Sequence, residues 1–300
     1  MTAAAPPTPP PAGNRATLRA VPGLARRQAK NRAMTVLLAA LMAATLAVLV
    51  WVLFYVAAQG LKYLGPKFVT QTPPGNPSDP GGGFVNGIIG SLIMVGIATC
   101  MSVPIGIAAA VVIAEYGGRF ARVTSFLTDV LMGVPSIVTG LFIYAIWVLR
   151  FGFSGLAGSV ALAIVMLPLV IRATAVMIGL VPVALREASS ALGVTRARTI
   201  VSVVLPTALP GIITGVMLAV ARAMGETAPL LVTTLGNDLF IQTNPTKRMS
   251  ALPLQIFGNA ITGFKTAQAR AWAGALTLIA IVLICTVAAR LIGRRTTIGN

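Results

Sequence analysis

Two residues of opposite charge stand four apart inside a long apolar run, Arg222 and Glu226 in ARAMGETAPLL. A charge at the centre of a membrane-spanning helix costs about 2.5–3.5 kcal/mol on insertion scales, so it faces a cavity or a partner rather than lipid. The i, i+4 spacing puts both side chains on one face, within reach of each other. Such a pair can serve merely to pin helices. Its neighbours argue for more: Gly225 would let another backbone come close, Thr227 adds a hydroxyl, and Pro229 frees a carbonyl that a cavity or a neighbour must satisfy. Arg172, in LPLVIRATA, adds a second buried cation part-way up from the cytosol. Guanidinium groups fixed in a passage replace the hydration of an anion, and a nearby carboxylate weakens the hold so that the ion can leave. Asp129 reads as an interfacial residue at the start of an apolar segment, and Glu115 as the end of a helix at the cytosolic surface.

The elements that must position these charges are membrane helices. The 300 residues are 56% hydrophobic and 10% charged, with a mean hydropathy of +0.89, which exceeds what a soluble core needs. The fold class expected is all-α, a polytopic membrane protein. Residues 1–33 open with a Pro/Ala tract and continue with six Arg and Lys, and read as a disordered basic cytosolic tail. The apolar run 34–58 is the first spanning helix, and 59–86, with TPPGNPSDPGGG, is an external loop of turn formers. Further runs at 87–114, 126–149, 156–180, 207–236 and 271–292 make six helices. A membrane domain over 87–292 and a short cytosolic tail at 293–300 complete the chain. Within the loop 237–270, the apolar stretch 249–264 either lies along the outer interface or folds back against the bundle.

The sorting of Arg and Lys fixes the orientation. With the N-terminus inside, fifteen fall on the inner face, seven on the outer face, and Arg222 is left within a helix. Both termini are then cytosolic. The net charge of +17 belongs to this bias and to contact with lipid, not to nucleic acid. The chain contains no His and no G-x-x-x-x-G-K-[ST] run, so neither an imidazole metal site nor ATP hydrolysis by a phosphate loop is expected of it. Cys100 and Cys285 both lie in apolar runs, which implies no disulfide framework.

One polar island, REASSALGVTRARTIVSVVLP from Arg186 to Pro206, lies between two apolar runs on the cytosolic side. Pro182 can open a short helix, Gly193 can end it in a left-handed cap, and a second short helix can start at Thr195. Two short helices hinged at a glycine make a knob close to the membrane, a docking shape. Glu187 and Ala188, then Gly193, then Leu205 and Pro206 resemble the EAA loop of ATP-binding-cassette importer permeases, with Ser189 and Val203 as small departures. In that family the loop seats on the ATPase subunit, which implies ATPase coupling over 182–206.

The run around Arg222 also resembles the PstA-type permeases of phosphate importers, as do VPIGIAAAVVIAEYGG (103–118), GVPSIVTGLF (133–142) and LPLVIRATA (167–175); the likeness covers about 86–290. It implies a type I importer permease fold and inorganic phosphate as substrate, with Arg222, Glu226, Thr227 and Arg172 along its path. It also implies a heterodimer with a PstC-type permease, an ATPase dimer that binds ATP and Mg, and an extracytoplasmic phosphate-binding protein. No cofactor in this chain is implied. The family's carboxylate three residues after the fourth-helix arginine is Ala175 here, so the usual partner of Arg172 is missing. Two alternatives stay open on the sequence: an ion-coupled secondary transporter, which needs no docking knob, and a sulfate or molybdate permease, which shares the loop but lacks GETAPLL.

Overall fold

The computed structural model describes residues 24–298. The first helix, α1, runs Leu24–Gly60 over 37 residues. Residues 24–33, expected in the unstructured tail, are therefore its first turns, and the remainder of that tail, 1–23, lies outside the described residues. As far as Phe54 the chain forms a unit of its own. Its large apolar side chains are exposed, Trp51 and Phe54 among them, as suits a helix solvated by lipid.

The second unit, from Tyr55, is a bundle of helices. After a single helical turn at Pro66–Thr70, α2 covers Val85–Tyr116, α3 Gly118–Gly133, α4 Ser136–Phe151, α5 Gly155–Gly179, α6 Val183–Ala191 and α7 Arg196–Met224. Then come α8 (Ala228–Thr233), α9 (Leu252–Ala260) and α10 (Lys265–Ile298). The expected tail at 293–300 is thus helical as far as Ile298, and residues 299–300 lie outside the described residues.

Among the described residues five helices are long and apolar enough to cross a membrane, and a sixth crossing exists only if the pair α3 and α4 counts as one. The run 126–149, expected as one straight span, is bent by 100° between those two helices. The cause is local. Pro135 has no N–H and crowds the residue before it, so Val134 adopts an extended conformation (φ −74°, ψ 124°) and α3 stops.

A second boundary also moves. The run 207–236 does not form one helix: α7 begins eleven residues earlier, at Arg196, and ends at Met224. Its early turns include a widened, π-type turn at Ile200–Val204, which admits Pro206 without breaking the helix.

The interior is apolar and close-packed, with Met94 and Ala98 of α2, Leu162, Met166 and Val170 of α5, and Ile212, Val216 and Ala219 of α7 buried together. Small residues set the helix spacing, as is usual where lipid removes a hydrophobic drive for association. A Cβ on Gly106 would lie 2.6 Å from a Val170 methyl, and one on Gly215 would lie 2.4 Å from Ala173 Cβ.

The stretch 249–264 folds back against the bundle. Met249, Ser250, Ala251 and Leu252 are buried, and α9 packs on α2 and α10. Polar groups join these segments: Gln255 Nε2 donates to Asn86 Oδ1 (2.9 Å) and Asp238 Oδ1 (2.7 Å), and Asn86 Nδ2 donates to the Asn237 carbonyl (2.6 Å). The loop 59–86 is ordered as well. Buried Arg270 donates to the carbonyls of Pro77 (2.8 Å) and Asp79 (2.7 Å).

Candidate functional site

Arg222 lies in the last turn of α7, and the chain leaves the helix directly after it. Gly225 and Glu226 close the end with tight turns, Gly225 N–H to Arg222 O (3.1 Å) and Glu226 N–H to Ala223 O (3.2 Å). The sequence placed the pair near the middle of a continuous helix; it sits instead at a break, because Pro229 starts a new helix, α8, and its missing N–H costs nothing in a first turn. The Arg222 side chain is 61% exposed and meets Glu226 through one long contact, Nε to Oε1 at 3.5 Å. Both residues belong to one short stretch, so their contact pins no second helix.

Among the described residues no other backbone comes close to Gly225. A Cβ there would meet only the Arg222 carbonyl, at 3.7 Å. The close approach occurs opposite, where a Cβ on Gly140 would lie 2.6 Å from Pro229 Cα and so holds α4 against α8. Thr227 precedes α8 half-buried, without a side-chain capping bond. Arg222 borders a small hollow of about 50 Å³ with Val134, Ser136 and Thr139 at the bend and Pro168 and Leu169 of α5. The break after Arg222, the 100° bend and the helical turn at Pro168 therefore border one hollow.

Arg172 stands one helical turn beyond Pro168, and it is not buried: its side chain is 36% exposed. Its partner is Asp129 of α3, expected from sequence to be merely interfacial, with Arg172 Nη2 donating to Asp129 Oδ1. The carboxylate absent at position 175 is thus supplied from 43 residues away in the chain.

The knob comes directly after α5. Pro182 caps α6, Gly193 takes the left-handed conformation expected of it (φ +74°), and the Gly193 and Val194 N–H groups bond back to Ser190 O (3.0 Å) and Ser189 O (3.2 Å). Thr195 then leads into helix at Arg196, as expected. The helix starting there is not a separate short one, however, because it continues without interruption into the membrane span of α7. Ser189 is buried and its hydroxyl meets that of Thr199 at 2.8 Å, a contact that alanine in its place would lack. Glu187 and Ala188 are exposed, Leu192 at the tip is 82% exposed, Leu205 is half-buried and Pro206 exposed. Arg186 turns inward instead and pairs with Glu115 at 2.7 Å, where the sequence suggested two unrelated surface charges.

Residues 102–298 match the family model described as binding-protein-dependent transport system inner membrane component. The chain is 43% identical to the phosphate transport system permease protein PstA of Yersinia pestis over 270 residues, 89% of this chain and 90% of that one. It is 41% identical to phosphate transport system permease protein PstA 1 of Mycobacterium tuberculosis over 277 residues, 89% and 90% of the two chains. Among solved structures, the inward-facing MetNI methionine ABC transporter aligns with a TM-score of 0.58 at 19% identity, covering 71% of this chain and 95% of that chain. An amino acid ABC transporter crystallised with histidines aligns at 0.51 and 22% identity, with 70% and 92% covered.

Proposed function

The chain belongs to the family of binding-protein-dependent transport system inner membrane components, and on that footing we propose that it is the membrane subunit through which an ATP-driven importer passes inorganic phosphate. Its fold is that of the type I ABC importer permeases. The observation that carries the substrate reading is Arg222 bordering the hollow between the bend and the helical turn at Pro168, in a chain 41–43% identical to phosphate permeases over about nine-tenths of its length.

Arg222 takes the anion, and Glu226 both moderates that hold and selects. Phosphate near neutral pH keeps a proton that sulfate lacks, so a carboxylate accepts a hydrogen bond from phosphate and repels a fully ionised oxyanion. Thr227 offers a hydroxyl beside them. Arg172, balanced by Asp129, is the next cation along α5. At the knob, Glu187, Ala188, Gly193, Leu205 and Pro206 shape the surface on which an ATPase docks. The exposed apolar tip at Leu192 supports this, since none of the described residues covers it.

The partners are a PstC-type permease, an ATPase dimer that carries ATP and Mg, and an extracytoplasmic phosphate-binding protein. The chain lies multi-pass in the inner membrane, and the bias of fifteen to seven in Arg and Lys supports cytosolic termini. The test is uptake of labelled phosphate by vesicles holding the assembled complex. Uptake that requires ATP and resists excess sulfate is expected; uptake driven by an ion gradient alone, or abolished by sulfate, overturns the reading.

A further inference from the structure

Arg186 directly precedes Glu187 on α6, yet its side chain points away from the exposed face. Its Nε and Nη2 both donate to Glu115 Oε1, at 3.0 and 2.7 Å. Nη2 also donates to the Ile178 carbonyl at 2.9 Å, and Nη1 to the Val181 carbonyl at 2.6 Å. One guanidinium therefore holds three elements: the end of α2 through Glu115, the end of α5 through Ile178, and the link into α6 through Val181.

Each attachment is stiff for its own reason. The Ile178 carbonyl at the end of α5 also accepts from the Val181 N–H (3.2 Å), so the arginine adds a second bond at a helix end whose carbonyls lack the usual i+4 donors. Glu115 is in the π-type turn Val112–Tyr116 that ends α2, and the chain reverses immediately at Gly117 (φ +68°). Its side chain is 7% exposed, so losing the arginine would leave a mostly buried carboxylate without a counter-ion or full hydration, which is costly. The planar fork of a guanidinium fixes direction as well as distance, which a lysine does not. Ser189 and Thr199 meanwhile tie α6 to the start of α7.

We propose that the Arg186 guanidinium is the link that transmits displacement of α6 to the spans, to α2 through its ion pair with Glu115 and to α5 through the Ile178 carbonyl, which makes Arg186 and Glu115 positioning residues for coupling. The proposal rests on the reading of 182–206 as the ATPase-docking loop. A force applied to the exposed face of α6 then moves the ends of two spans as one body. With the pair broken, α6 and the end of α5 move without α2.

The test uses the complete importer in proteoliposomes, with ATP hydrolysis and phosphate uptake measured side by side for Glu115→Gln, Arg186→Lys and Ala188→Arg. In Glu115→Gln the ATP consumed per phosphate should rise about tenfold while hydrolysis stays within about twofold, a change within the range of coupling free energies between sites. Arg186→Lys, which keeps the charge and loses the fork, should fall between Glu115→Gln and the unaltered chain. A role limited to holding helix ends together predicts that uptake and hydrolysis fall in proportion, or with the amount of assembled complex, and that result overturns the proposal. Ala188→Arg, on the exposed face, separates the two readings. If it sheds the ATPase while Glu115→Gln keeps the normal ratio, only the link is wrong. If the ATPase stays bound and coupled in Ala188→Arg, the docking reading falls and the link falls with it.

Discussion

Asp129 of α3 and Arg172 of α5 form an ion pair between the helix that precedes the 100° bend and the helix that carries the Pro168 turn. Both side chains are partly exposed, so the pair contributes little to stability, about 0–1 kcal/mol. Under the proposed function, its consequence lies in the charge of the anion path. Asp129→Asn leaves Arg172 uncompensated, and phosphate uptake per assembled complex is expected to fall while thermal stability hardly changes. Adding Ala175→Glu returns a carboxylate three residues along the same helix, within reach of Arg172, and should restore uptake. Uptake unchanged in Asp129→Asn removes the pair from the path.

Arg222 and Glu226 should fail in opposite ways. Arg222→Gln removes a charged donor worth about 1.5–3 kcal/mol, hence a loss of about 10- to 150-fold in uptake with assembly intact. Glu226→Gln should hold the anion longer, so turnover falls while phosphate retention by the complex rises. Exchanging the two, Arg222→Glu with Glu226→Arg, should not restore transport. Full activity in the exchanged variant would return the pair to a purely structural role.

Gly193→Val is expected to uncouple the ATPase. A β-branched residue at φ +74° costs about 1–2 kcal/mol in the left-handed region and displaces the turn between α6 and α7. Hydrolysis without matching uptake is the expected readout, scored in proteoliposomes. No neighbour lies within 4 Å of a Cβ there, so the cost comes from the backbone and not from a clash.

Orientation is testable with an impermeant thiol reagent. Asn76, Asn244 and Thr195 are all exposed. Cysteines at Asn76 and Asn244 should react from outside the cell, and one at Thr195 should react only after permeabilisation. Labelling at position 195 in intact cells would reverse the orientation.

The features that were legible in the sequence are those whose causes are local. Gly193 announced its own cap, Thr195 the helix after it, and the apolar runs their helices, because each depends on a few consecutive residues. Some local signals are masked by their surroundings: Pro135 after Gly133 and Val134 carries the bend, and Gly225 with Pro229 carries the break, but both lie inside runs whose hydropathy alone suggests one span. The ion pairs between distant residues were not legible, unlike the i, i+4 pair Arg222–Glu226. Asp129 and Arg172 are 43 residues apart and Glu115 and Arg186 are 71 apart, and nothing in either neighbourhood names its partner. Only packing of α2, α3 and α5 brings them together. Arg172 illustrates the cost, since the missing carboxylate at Ala175 looked like a loss until α3 supplied another.

The contact between Gln255 and Asn86 spans 169 residues, which sets a timetable for synthesis. Translation at about 5–20 residues per second separates the appearance of the two residues by roughly 10–30 s. Throughout that interval Asn86 has emerged and its amide partner has not yet been made. The Asn86 side-chain carbonyl oxygen must therefore stay hydrated or pair elsewhere until α9 arrives. A ribosome stalled before residue 255 would leave the Asn86 side chain without this donor and exposed to solvent exchange.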